Sequence, residues 1–162
     1  MKSRIAIPLM FLLVATAALA QSSQKQFETI KSLAGNWEGK TPKGQAVTVS
    51  YRVTSGGSAV MSEIQSEDDM ISMFHMDGDR LLMTHYCGAG NQPRMKAASS
   101  SDAKSVAFEM IDATNLASPT AGHMHKAVFT VVDADHHTED WYFIQDGKEM
   151  HERFEMTRKK PI

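Results

Sequence analysis

The residues with the most chemical scope fall in two short clusters. One is His85-Tyr86-Cys87-Gly88-Ala89-Gly90-Asn91-Gln92-Pro93-Arg94, and the other is His123-Met124-His125. Side chains two positions apart on an extended strand face the same way, so His85 pairs with Cys87 and His123 with His125. That spacing suits three kinds of chemistry. His85, Cys87, His123 and His125 could hold a divalent metal, with Cys87 as thiolate. The imidazoles could exchange protons or hydrogen-bond the polar head of a ligand. Arg94 could pair with a carboxylate. The plain alternative is that the imidazoles satisfy loop carbonyls and that Cys87, the single cysteine, is a small apolar residue.

Two further groups carry polar or aromatic chemistry. Asp133-Ala134-Asp135-His136-His137 brings carboxylates and imidazoles together, but it reads as a solvated turn. Trp141, between Asp140 and Tyr142, is a core residue that could also line a cavity. No Gly-x-Ser-x-Gly, P-loop or His-Glu-x-x-His sequence occurs. No catalytic residue is therefore assigned, and the balance leans away from an enzyme.

Short alternating strands must position these side chains. Val47, Val49, Tyr51 and Val53 share one face, while Thr48, Ser50 and Arg52 share the other. The alternation predicts ten strands, at 36–41, 45–54, 58–65, 69–76, 80–87, 94–100, 104–111, 123–133, 138–145 and 149–158. Pro42-Lys43-Gly44, Ser55-Gly56-Gly57, Asp77-Gly78 and Asp146-Gly147 are turn sequences between them. A short helix over 22–34, capped by Ser23, would lay Phe27, Ile30, Lys31 and Leu33-Ala34 toward the strands. No longer amphipathic helix interrupts, so the fold expected is all-β. Its form would be an up-and-down antiparallel barrel of eight to ten strands, closed to remove its edges. Counting reversals puts the two long connections, 88–93 and 112–122, at one open end. His85, Cys87, Arg94, His123, His125 and His151 belong there, and Trp37 belongs at the closed end.

Residues 1–20 combine Lys2 and Arg4, an apolar run from Ile5 to Val14, and Ala18-Leu19-Ala20. That order reads as a signal peptide, with residues 21–162 forming one domain in the periplasm or outside the cell. The run is too short to span a membrane, and no later candidate follows. With 17 basic and 19 acidic residues, nothing draws the chain to nucleic acid or an anionic membrane. Ten of the twelve methionines, Met61 through Met156, follow the leader and supply a plastic core, or a soft pocket for a flexible ligand or for copper.

Gly35-Asn36-Trp37, after a short helix, resembles the glycine-x-tryptophan signature of calycins, the lipocalin and fatty-acid-binding superfamily. The resemblance implies that Trp37 plugs the barrel floor. It also implies that a basic residue ending the last strand, here Arg158 in Phe154-Glu155-Met156-Thr157-Arg158, stacks over it. Most of the chain after the leader also resembles uncharacterised exported bacterial lipocalin-like proteins of the DUF1579 type, which bring no established chemistry. The Thr-Asp-Tyr segment, cysteine pair and trailing helix of lipocalins are missing. Gly35-Asn36-Trp37-Glu38-Gly39 is similar, too, to the opening of certain haem-binding barrels, for which His151 would be the candidate axial ligand. The function expected is binding of a small, largely apolar molecule. His85, Cys87, Arg94, His123 and His125 would meet its polar end, and Trp141 would line the cavity. The alternatives are an isomerase or hydrolase using a mouth histidine beside a carboxylate such as Glu109, and a metal or haem binder. Neither a cofactor nor an oligomeric state is specified.

Overall fold

A computed structural model describes residues 22–66, 68–100, 102 and 104–160. The leader, and with it the expected export, lies outside the described residues. A helix, α1 (residues 22–32), precedes ten strands. These are β1 (Gly35–Lys40), β2 (Ala46–Thr54), β3 (Ala59–Gln65), β4 (Met70–Asp77), β5 (Arg80–Tyr86), β6 (Gln92–Ala97), β7 (Ser105–Thr114), β8 (His123–Val131), β9 (His136–Gln145) and β10 (Lys148–Arg158). Each strand pairs antiparallel with its chain neighbours, and β10 returns to β1 to close the barrel. The all-β, up-and-down expectation is met. No helix among the described residues is long and apolar enough to cross a membrane.

Alternation sets the inside. Val47, Val49 and Tyr51 of β2, and Leu81, Met83 and His85 of β5, are all buried. Large aromatic side chains then fill the middle of the barrel, where burial of each contributes about 1.5–3 kcal/mol. Phe74, Phe108 and Phe129 sit with ring centres 5.5–5.8 Å apart, and Trp141 stands edge-on to Phe129 at 5.5 Å. Such tilted and edge contacts suit the ring quadrupoles.

The closed end is built around Trp37. Phe27 and Ile30 of α1, and Leu33 just after it, are buried in the same core, and the Trp37 indole N–H donates to the Leu33 carbonyl at 2.7 Å. The Arg158 guanidinium lies 4.0 Å from the indole ring. It also donates to the carbonyls of Ala34, Ser32 and Ala134, at 2.7, 3.2 and 2.8 Å. One side chain thus ties the helix, the β8–β9 turn and the last strand together. Gly39 lets β1 and β10 meet, because a Cβ there would lie 2.4 Å from the Glu155 carbonyl oxygen.

Regularity fails at the other end. β7 runs with β6 as far as Thr114, but it pairs with β8 only up to Glu109. The ladder between β8 and β9 slips between Met124 and Lys126. β10 meets β1 over Glu155–Arg158, so its first half pairs with β9 alone. The mouth is therefore the less completely hydrogen-bonded end.

Candidate ligand site at the barrel mouth

The slip in β8 decides where its histidines go. A bulge adds one residue to a strand, and one added residue sends everything beyond it to the opposite face. Ala127 pairs with Trp141 on the inner face, but beyond the bulge His123 pairs with Ile144 on the outer set of β9. His125 is the extra residue, and its imidazole Nε2 lies 2.7 Å from Glu149, which also pairs with Ile144. The His123 Nδ1–H donates to the Ala121 carbonyl at 2.7 Å. Both imidazoles were expected to face inward; the register instead places His123 on the outer set of β8, where it is still buried, and leaves His125 partly exposed beside Glu149. Met124 faces inward in their place, opposite Phe143.

Arg94 is a second correction. It points away from the barrel, and its guanidinium donates to Asp112 at 2.6 Å. It offers nothing to a ligand inside. His151, the candidate axial ligand, likewise lies on the outer wall. Asp140 holds its Nε2 at 2.7 Å, and Tyr142 stacks on the ring at 4.5 Å. Burial pushes the Asp140 carboxyl upward, but hydrogen bonds from Arg153 and His151 outweigh it and hold the group below the usual carboxylate range. Glu109 is exposed opposite Lys126 and supports no mouth histidine. Among the described residues no group of three or more His, Cys, Asp or Glu could hold a metal ion.

His85 and Cys87 remain at the mouth, with Trp141 in the aromatic layer beneath them. His85 is fully buried, with its ring 4.8 Å from that of Trp141. Its Nδ1 is 2.9 Å from the Ser72 hydroxyl, directly across the β4–β5 ladder. Burial lowers its pKa from the ordinary 6.5 to about 4, so the ring is neutral at physiological pH. The turn after β5 folds across the opening. Cys87 N–H donates to the Asn91 carbonyl at 3.0 Å, and the Asn91 amide reaches over to donate to the Gly122 carbonyl at 2.8 Å. The Cys87 thiol has its pKa raised, chiefly by burial, although the backbone N–H groups of Ala89 and Met124 face it. Met70, Met110 and Met124 pack partly buried on the aromatic layer, and Met150 sits exposed opposite Phe143.

Three buried side-chain polar atoms among the described residues have no hydrogen-bond partner: His85 Nε2, Asn91 Oδ1 and His137 Nδ1. The first two belong to this end. A buried polar atom left unpaired is destabilising by roughly 1–3 kcal/mol. His85 ends β5 and Asn91 lies in the turn that follows it, so both unpaired atoms fall in one short stretch of chain.

The third belongs to a polar layer near the floor that sequence reasoning missed. Glu139 is fully buried and accepts hydrogen bonds from Tyr51 at 2.6 Å, from His137 at 3.0 Å and from the Trp141 indole at 3.0 Å. Burial first, then the charge and hydrogen bond of Glu139, raise the Tyr51 pKa well above its ordinary value, with Ser62 opposing. His137 meets Trp37 edge-on at 4.2 Å. The expected solvated turn holds for Asp133 and His136, which pair at 2.9 Å on the surface. It does not hold for His137, which is inside. Parity carried the signal, since a strand that buries Trp141 must also bury residues 139 and 137.

Elsewhere, a surface groove of about 820 Å3 follows β1–β3 from Arg158 and Lys159 to Gln65. It is separate from the mouth.

The fold fits a calycin-like barrel. No family model matches the chain, and no curated protein matches it by sequence. Among solved structures it is similar to Rv2717c from M. tuberculosis. The TM-score is 0.58 at 14% identity, covering 83% of this chain and 98% of that one. It is also similar to a protein of unknown function of the DUF3598 family from Nostoc punctiforme, with a TM-score of 0.56 at 13% identity. That match covers 80% of this chain and 48% of the other. Likeness at these identities bears on fold alone.

Proposed function

We propose that this chain is an exported, lipocalin-like binding barrel of the DUF1579 type that takes a small, largely apolar molecule at its mouth. One observation carries the reading: His85 Nε2 and Asn91 Oδ1 are both buried without partners, under a rim of methionines. A bound polar group would recover the roughly 1–3 kcal/mol that each unpaired atom forfeits. Methionine side chains rearrange easily, which suits entry above a packed aromatic floor. Trp141 would form part of that floor and Cys87 part of the wall. Lys2 and Arg4, the apolar run and Ala18-Leu19-Ala20 support export.

Native mass spectrometry of protein purified from its own host tests this. The expected result is a co-purifying small molecule that is lost in His85→Phe and retained in Arg94→Ala, whose side chain lies outside. An empty wild-type protein, whose His85 ring signals ignore a library of apolar ligands by NMR, would overturn it. Fractionation of the host should find the processed chain outside the cytoplasm.

A further inference from the structure

We infer that the head group of this ligand is a hydrogen-bond donor, an alcohol or a primary amine, and not a carboxylate; this rests on the mouth site proposed above. The orientation of Asn91 is the starting point. The Gly122 carbonyl can only accept, so the 2.8 Å bond fixes the amide nitrogen toward it and turns Oδ1 away. Oδ1 is buried and has no donor. Only an N–H or O–H can complete it.

His85 narrows the choice. A neutral imidazole has one N–H and one lone pair, and the Ser72 hydroxyl at Nδ1 can serve either. Nε2 therefore accepts in one tautomer and donates in the other. An alcohol has one O–H: donated to Asn91, it leaves the oxygen to accept from His85 in the tautomer that carries its proton on Nε2. An amine donates to Asn91 and to the accepting form. A carboxylate has only lone pairs to set against Asn91 Oδ1.

Charge points the same way. The guanidinium suited to a carboxylate, Arg94, is outside and already bound to Asp112. Two acids are found at the mouth instead. Asp68 lies against Gly88 and opposes ionisation of Cys87. Glu152 pairs with Trp141 across the β9–β10 ladder and is exposed. Both are exposed, so water screens them and they bias the mouth only weakly toward an ammonium over an anion.

The test uses the whole processed chain and three probes with one tail: 1-octanol, octylamine and octanoate, followed by calorimetry and by Trp141 fluorescence. Octanol and octylamine should bind at least about tenfold tighter than octanoate at neutral pH. Asn91→Ala should bring the octanol-to-octanoate ratio toward one. Should that variant fail to fold, the parent decides: octanoic acid at a pH low enough to keep its O–H should bind as octanol does and lose affinity as it ionises, and equal affinity across that range would overturn the donor assignment. Octanoate binding as well as octanol would overturn the donor assignment and leave the mouth site standing. If no probe binds and the fluorescence is unmoved, the mouth site falls with it.

Discussion

His85 makes stability depend on acidity. Unfolded, its imidazole titrates near 6.5; folded, burial holds it to about 4. Above the higher value both states are neutral, and pH does nothing through this residue. As pH falls through the interval, the unfolded chain takes up a proton that the folded chain refuses. Stability then drops, by at most about 3 kcal/mol, and the loss levels off below the lower value. Urea unfolding at neutral pH and near pH 4.5 should show this loss, and His85→Gln should remove it. An unchanged difference in the variant would mean that another group is responsible. Side-chain facing was legible in the sequence wherever a strand is regular. Leu81, Met83 and His85 alternate inward as their spacing says. Glu139 was passed over because a carboxylate is ordinarily solvated, and nothing local announces the three donors that Tyr51, His137 and Trp141 bring to it.

Strands, and the places where they depart from alternation, account for both errors in site placement. The extra residue at His125 has no local signature, since His-Met-His-Lys reads as an ordinary alternating stretch. Only the register with β9 shows that His123 has changed sides. Arg94 was placed by its end of the barrel, which is correct, but not by its face. Turn chemistry was more legible: Asp146-Gly147 makes its expected tight connection, and Gly35 has a φ of +130° where α1 gives way to β1. Gly39 shows the cost of a close approach between strands. Gly39→Ala would drive a methyl group to 2.4 Å from the Glu155 carbonyl and 2.8 Å from the Met156 sulfur. Backbone cannot yield as a flexible side chain can, so the substitution should destabilise the fold by about 1–3 kcal/mol. A shift in the urea midpoint checks it, and a variant as stable as the parent would show that β1 and β10 can slide apart freely.

Closure of the whole barrel depends on Arg158 more than on any other charged residue described. Arg158→Ala would remove the stack on Trp37 and three hydrogen bonds to carbonyls, with an expected loss of about 2–4 kcal/mol. Arg158→Lys keeps the charge but not the planar fork and should restore only part of it. Thermal unfolding measures both, and faster amide exchange along Gly35–Lys40 would locate the damage at the seam. Strand number and antiparallel order were legible because period-2 runs and turn residues repeat so evenly. The inward fold of the β5–β6 turn was not, because it depends on one amide, Asn91, finding a carbonyl 31 positions away.

The seam has one more consequence, for how the molecule is made. Ala34 and Arg158 are bonded across 124 positions of sequence, so the first strand has no second neighbour until β10 has emerged. A growing chain, wherever it matures, must carry two bare strand edges through nearly the whole of synthesis. Emergence of β10, not the appearance of any early segment, is then the event that permits closure.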